Sequence, residues 1–231
     1  MSDRLFIFFG IFFTLASVQA QEAINQTDAE GKRHGIWKKT YPSSQQLRYQ
    51  GQFEHGKEVG VFKFYCEECK DQPTVIKEFN RDNPIAKVSY YTIKGKLVSE
   101  GHMNGKARIG EWVYYHEKSD QVMERQHYVD GKLDGVSTVY YPNGTITETV
   151  TYAKGERHGE NLFYAPDGVL LKKLLYKDGQ LHGPAVYFDA FGNVTIKGQY
   201  KNGKKDGLWQ YYKNGKIEVE ETYPKPNPSR Q

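Results

Sequence analysis

The sequence predicts an all-β protein: an elongated single-layer antiparallel sheet of tandem β-hairpin repeats, about 24 residues each, stacked like a solenoid. Three observations predict it. Tyr128, Tyr152, Tyr176 and Tyr200 recur every 24 residues, and Tyr223 follows one residue short of the next interval. Each of the first four is followed by a glycine pair: Gly131/Gly135, Gly155/Gly159, Gly179/Gly183 and Gly203/Gly207. Between the pairs, residues alternate apolar and polar, as Ile217, Val219 and Tyr223 do against Lys216, Glu218 and Glu220. That alternation is the period of a strand, whose successive side chains point to opposite faces.

Taken in order, the chain opens with MSDRLFIFFGIFFTLASVQAQ. Arg4, an apolar run from Leu5 to Ala16, and the small residues Val18 and Ala20 predict an export signal at residues 1–20. The run is short for a membrane span, although an uncleaved anchor is the competing reading. The mature chain then starts at Gln21, outside the cytoplasm, in the bacterial periplasm or secreted. The repeat runs upstream through Gly31/Gly35, Gly56/Gly60 and Gly105/Gly110. One unit, beginning at Phe79, carries Asp82 and Ala86 in place of the glycines but keeps Tyr90, Tyr91 and the turn glycine Gly95. About eight hairpins therefore fill residues 21–223, with no room for a second domain.

Within a unit, the first strand runs from the second glycine into an aromatic pair, as in GEWVYY (110–115) and GLWQYY (207–212). Asn143-Gly144, Asp167-Gly168 and Asn214-Gly215 then predict tight hairpin tips, because both residue types tolerate positive φ. The second strand follows, and the glycine pair links to the next hairpin. The Pro-rich 224–231 segment, PKPNPSRQ, predicts a disordered tail that ends the sheet.

Aligning the units gives rows of aromatics, which is where 16 of the 18 tyrosines are used. Phe64, Tyr90, Tyr114, Tyr140, Phe163, Tyr187 and Tyr211 form one row, and their immediate successors form another on the opposite face. Phe53, Phe79, Met103, Tyr128, Tyr152, Tyr176, Tyr200 and Tyr223 form a third, while Trp37, Trp112 and Trp209 share a further position. Each ring can pack on its copy one unit along. A single layer cannot bury both faces, so an aromatic groove for a partner is expected, with Trp112, Tyr114, Tyr140, Phe163, Tyr187, Trp209 and Tyr211 as its residues.

Other chemistry is sparse. A net charge of +4, spread singly among acidic residues, lacks the basic stripe that nucleic acid requires, so no nucleic-acid partner is expected. Cys66 and Cys69 suit a disulfide in an exported chain; two intervening glutamates disfavour a reactive thiolate, and zinc would need further ligands. His34, His158 and His182 occupy one repeat position, but equivalent residues of adjacent units are about 9–10 Å apart, too far to share a metal. They read as turn residues, with Asp134 and Asp206 in the same slot. No nucleophile–base pattern or phosphate loop is present, so neither an enzyme nor a cofactor is expected.

The unit Y-x-x-G-x-x-x-G-x-W-x-Y-Y-x-x-G resembles the MORN-type repeat in its bacterial variant form, best at 200–215 and 128–144. Asp82/Ala86, the long tip with Cys66 and Cys69, and Phe191-Gly192 depart from it. The resemblance implies an elongated array of hairpins that mediates protein–protein interaction, dimerisation or attachment to a membrane surface. Many bacterial members carry an antitoxin label (the YwqK-like group), which implies a cytoplasmic partner and sits badly with an export signal. Choline- and glucan-binding wall repeats are similar but shorter and lack the glycine pair. Another protein is thus the leading partner, with cell-wall glycan or a membrane surface as the alternative.

Overall fold

The computed structural model describes residues 23–225. The expected export signal and residues 226–231 of the expected tail lie outside them. Among the described residues the regular structure is all strand, from Gln26–Thr27 to Lys216–Tyr223. Each strand pairs antiparallel with its sequence neighbour, giving one open meandering sheet. Lys132–Leu133 and Gln180–Leu181 are short openings of strands that resume at Gly135 and Gly183.

The two glycines of each pair have separate tasks. The first completes a two-residue link turn: Asp130-Gly131, Lys154-Gly155, Asp178-Gly179 and Asn202-Gly203 all have both φ positive. Such turns match the right-handed twist of the strands they join. The second glycine makes a bulge. Asn104–Ala107 through His102–Ile109 pair in register, but Glu100 pairs with Val113, so Gly110, Glu111 and Trp112 all lie opposite Gly101. Gly110 has φ 62°, a region that residues with a Cβ avoid. The same offset occurs at Gly60, Gly159 and Gly207. It is missing where Ala86 stands: Val75–Phe79 pairs with Ile85–Tyr91 without a shift.

Two of the three tips depart from the sequence reading. Asn214-Gly215 is a two-residue turn with both φ positive. At Asn143-Gly144 and Asp167-Gly168 only the glycine is. Pro142 and Pro166 stand one residue earlier and favour a type I turn, with the glycine as the bulge that follows it. At the irregular tip, Asp189 Oδ1 accepts the N–H groups of Phe191 (2.8 Å) and Asn193 (2.9 Å). Successive tips are tied together: the Tyr41 hydroxyl donates to the Tyr65 carbonyl (2.8 Å) and that of Tyr141 to the Tyr164 carbonyl (2.9 Å).

Only one face has a core. The bulge throws the residue two after the second glycine back across the preceding strand, onto whatever that strand presents. Phe62 lies over Gly51, Trp112 over Gly101 and Trp209 over Gly198. A Cβ on Gly101 would sit 2.5 Å from the Trp112 ring, inside the repulsive wall, and the other two glycines are closer still. Where the slot holds a small residue, the preceding strand holds a larger one: Val150 faces Asn161, and Leu174 and Ala185 are buried together. Volume is thus conserved across each joint while its distribution alternates. Phe62 packs on Phe53 and Phe79, and two further apolar clusters form among the described residues, one around Ala86, Val88 and Trp112, the other around Leu174, Ala185 and Trp209. Between them the slot is polar. Ser137 donates to Glu124 (3.0 Å) and Asn161 to Glu148 (2.9 Å), while buried Asn161 Oδ1 has no partner among the described residues.

Candidate functional site

The two faces differ in chemistry. On the face without a core, cross-strand ion pairs dominate: Lys87–Glu100 (3.1 Å), Arg125–Glu111 (3.0 Å) and Lys173–Glu160 (2.5 Å). Their side chains are largely exposed, which is the make-up of a solvated surface. Tyr115 also lies there; burial, then its bond to Glu100 (2.8 Å), pushes its hydroxyl up to about 12.

The core face carries a surface layer of tyrosines held by cations. Arg108, two residues before Gly110, stacks 4.4 Å over Trp112. Its Nη1 donates to the hydroxyls of Tyr114 (2.6 Å) and Tyr128 (3.2 Å). Lys205 repeats this one end along, 4.2 Å over Trp209, with Nζ donating to Tyr211 (2.8 Å). Arg33 covers Trp37 and Phe53, and Arg157 covers Tyr176. Planar guanidinium on an aromatic ring is favourable by about 0.5–2 kcal/mol. Burial, aided by the Tyr128 bond, raises the Tyr114 pKa, and burial with the Tyr200 bond (3.1 Å) raises that of Tyr187. These hydroxyls stay neutral and serve as donors and acceptors.

At the C-terminal corner Glu221 accepts from Lys225 (2.8 Å), Tyr223 (2.6 Å) and Tyr211 (3.2 Å). The Lys225 bond, then that of Tyr223, lowers the Glu221 carboxyl to about 2. A depressed carboxylate favours the folded corner above its unfolded pKa, and that contribution disappears as pH falls through the folded value. A carbon-detected NMR titration should place the Glu221 midpoint far below the ordinary glutamate range. Lys225→Ala should raise it; an unmoved midpoint would remove Lys225 as the cause.

The expected groove residues divide. Tyr114, Phe163, Tyr187 and Tyr211 share the core face, half-buried against the two clusters. Trp112 and Trp209 do not line a surface: they are 0% and 1% exposed, and each indole N–H donates to the carbonyl left free at the bulge, His102 (3.0 Å) and Gln199 (3.1 Å). The bulge and the facing glycine put them inside. Tyr140 lies on the opposite face. Val139, not Tyr140, pairs with Glu124, the residue that pairs with Tyr114. In that unit the aromatic pair comes one residue later after the glycine, and a one-residue shift flips a strand side chain. Tyr128, Tyr176, Tyr200 and Tyr223 join the same face, a row visible in the sequence but not tied there to Tyr114. The cations were missed; the signal was a basic residue two before the second glycine in four units: Arg33, Arg108, Arg157 and Lys205. Cys66 and Cys69 are bonded to each other at the long tip, with Cα atoms 5.1 Å apart.

The MORN repeat variant family matches residues 133–154, 157–178, 181–202 and 205–223. This is a MORN-type repeat protein. The first three matched MORN segments each run from one link turn through a hairpin to the next and the fourth ends with the last strand, so the family's unit and the structural unit share their boundaries. Upstream of residue 133 the same strand pairing and core slot continue to Arg33–Thr40, so the MORN-like hairpins and the matched ones form one sheet. No curated protein matches the chain. As a MORN-type chain it is a repeat scaffold, suited to protein or membrane interaction.

Proposed function

We propose that this protein is an exported, non-enzymatic MORN scaffold that binds another protein on the tyrosine- and arginine-bearing core face. The observation that carries the reading is the contrast between faces. One is a solvated field of Lys–Glu and Arg–Glu pairs. The other offers half-buried Tyr114, Tyr187 and Tyr211 beside Arg108 and Lys205, already fixed by hydrogen bonds. Tyrosine and arginine dominate interface hot spots because they offer large rigid area with few rotors, and fixing them beforehand lowers the entropy lost on binding.

The test is cross-linking in cells of the chain and of its Tyr114→Ala and Tyr187→Ala variants, with mass spectrometry of what is captured. The expected result is one dominant protein, retained by a Val136→Ala control on the opposite face and reduced about tenfold or more by each tyrosine change, in line with truncated hot spots. The captured chain should begin at Gln21. Equal capture by all variants would sink the choice of face. Capture of wall glycan alone, or of lipid alone, would replace the protein partner with that surface.

A further inference from the structure

The first link of the array brings together three groups that the repeat does not align. Asp28 lies in the turn between Gln26–Thr27 and Arg33–Thr40. Its Oδ1 accepts the N–H groups of Lys32 (2.8 Å) and Glu30 (3.1 Å), which fixes the carboxylate and leaves Oδ2 for another partner. Oδ2 meets His55 Nδ1 at 2.7 Å. His55 heads the His55-Gly56 link turn, and the Gly56 N–H docks on the Arg33 carbonyl (2.8 Å), beside His34. The two imidazole rings are 5.0 Å apart. One donor atom from each of Asp28, His34 and His55 lies within 4.8 Å of the others.

Links further along fill the corresponding positions with pairs only. His158 meets Asp178 (3.4 Å), His182 meets Asn202 (3.3 Å), and Asp134 accepts from the Lys154 amide (3.0 Å). Each of those contacts is complete with two groups. Here a carboxylate whose side chain is 8% exposed already has its partner in His55, yet a second imidazole is turned to the same spot. The His34 ring makes no hydrogen bond among the described residues. Two imidazoles and a fixed carboxylate are the donor set of borderline divalent ions.

We propose that Asp28, His34 and His55 form a divalent transition-metal site, suited to zinc, with a water completing the tetrahedron. Bonds of about 2.0–2.2 Å put tetrahedral donors roughly 3.3–3.5 Å apart, so the His55–Asp28 contact (2.7 Å) must open while His34, whose donor lies within 4.8 Å, closes in. His55, with a side chain 68% exposed, is free to make that move, while Asp28 is held by the Lys32 and Glu30 amides. The ion replaces the His55–Asp28 hydrogen bond with a bridge. It ties the turn before the first full strand to the first link, clamping the N-terminal end of the sheet. The histidine row itself is not the site. His34 and His55 occupy different repeat positions, and only the link turn brings them together.

The test uses the untagged mature chain, stripped of metal and titrated with zinc by calorimetry and with cobalt by visible absorption. One equivalent should bind, cobalt should give the intense d–d bands of a tetrahedral site, and zinc should raise the melting temperature. His34→Gln and His55→Gln should each weaken binding roughly tenfold or more. His158→Gln and His182→Gln should leave it unchanged. NMR of the histidine ring protons in the parent chain gives an answer independent of variant folding: His34 and His55 resonances must move on adding zinc. Still resonances, no heat at one equivalent, or a loss shared by the His158 and His182 variants would overturn the site.

Discussion

Gly198→Leu should destabilise the protein by about 2–3 kcal/mol or more, and Trp209→Ala in the same chain should recover much of that loss. The single change forces a side chain into the space of the Trp209 ring, which lies against the Gly198 backbone. Overpacking a dense core costs about 1–3 kcal/mol, and here the obstacle is a large ring closed in on every side. Trp209→Ala alone should cost about 3–5 kcal/mol through lost burial and the cavity it leaves. The double variant reproduces the Leu174 and Ala185 combination one unit earlier, which the sheet already accommodates. Denaturant unfolding of the four chains gives the cycle directly. A coupling of about 2 kcal/mol or more is expected for residues in contact; additive losses would mean that the joint is not keyed by volume.

Gly110→Val should destabilise the protein by about 2–3 kcal/mol. Gly110 has φ 62°. A β-branched residue in that region is strained by roughly 1–3 kcal/mol, and the strain can be relieved only by giving up the bulge. Without the bulge Trp112 no longer reaches back over Gly101, and its indole N–H loses the His102 carbonyl. The melting temperature should fall, and Trp112 fluorescence should shift to the red as the ring meets water. A melting temperature equal to the parent's would show that the bulge does not need glycine.

Most of the architecture is legible because it depends on residues whose backbone needs are severe. The glycine pairs predict the turns, the alternation predicts the strands, and Ala86 marks the unit where the register runs straight. Side-chain placement is less legible for a specific reason. Counting from an aromatic pair places Tyr140 beside Tyr114, whereas counting from Gly135 places it opposite, and only the glycine fixes the pleat. Trp112 and Trp209 look like surface aromatics because the sequence of one unit does not reveal that the previous unit offers a glycine beneath them. Reading Gly51, Gly101 and Gly198 against Phe62, Trp112 and Trp209 would have found the core, since each glycine interrupts a strand that otherwise has no use for one. The Asp28, His34 and His55 cluster was hidden by the repeat itself, which directs attention to equivalent positions rather than to neighbours across a turn.

The alternating joints have a consequence for how such a chain can change length. Copying residues 181–204 in tandem would set the new Ala185 against Gly198 and leave a hole. Deleting the same residues would drive Trp209 into Leu174. The hairpins share one backbone plan, yet each fits only the neighbour it has. Duplication or loss of that unit, the ordinary way in which tandem arrays grow and shrink, therefore leaves a hole or a clash at the new joint. The order of the units is as much a part of this fold as their number.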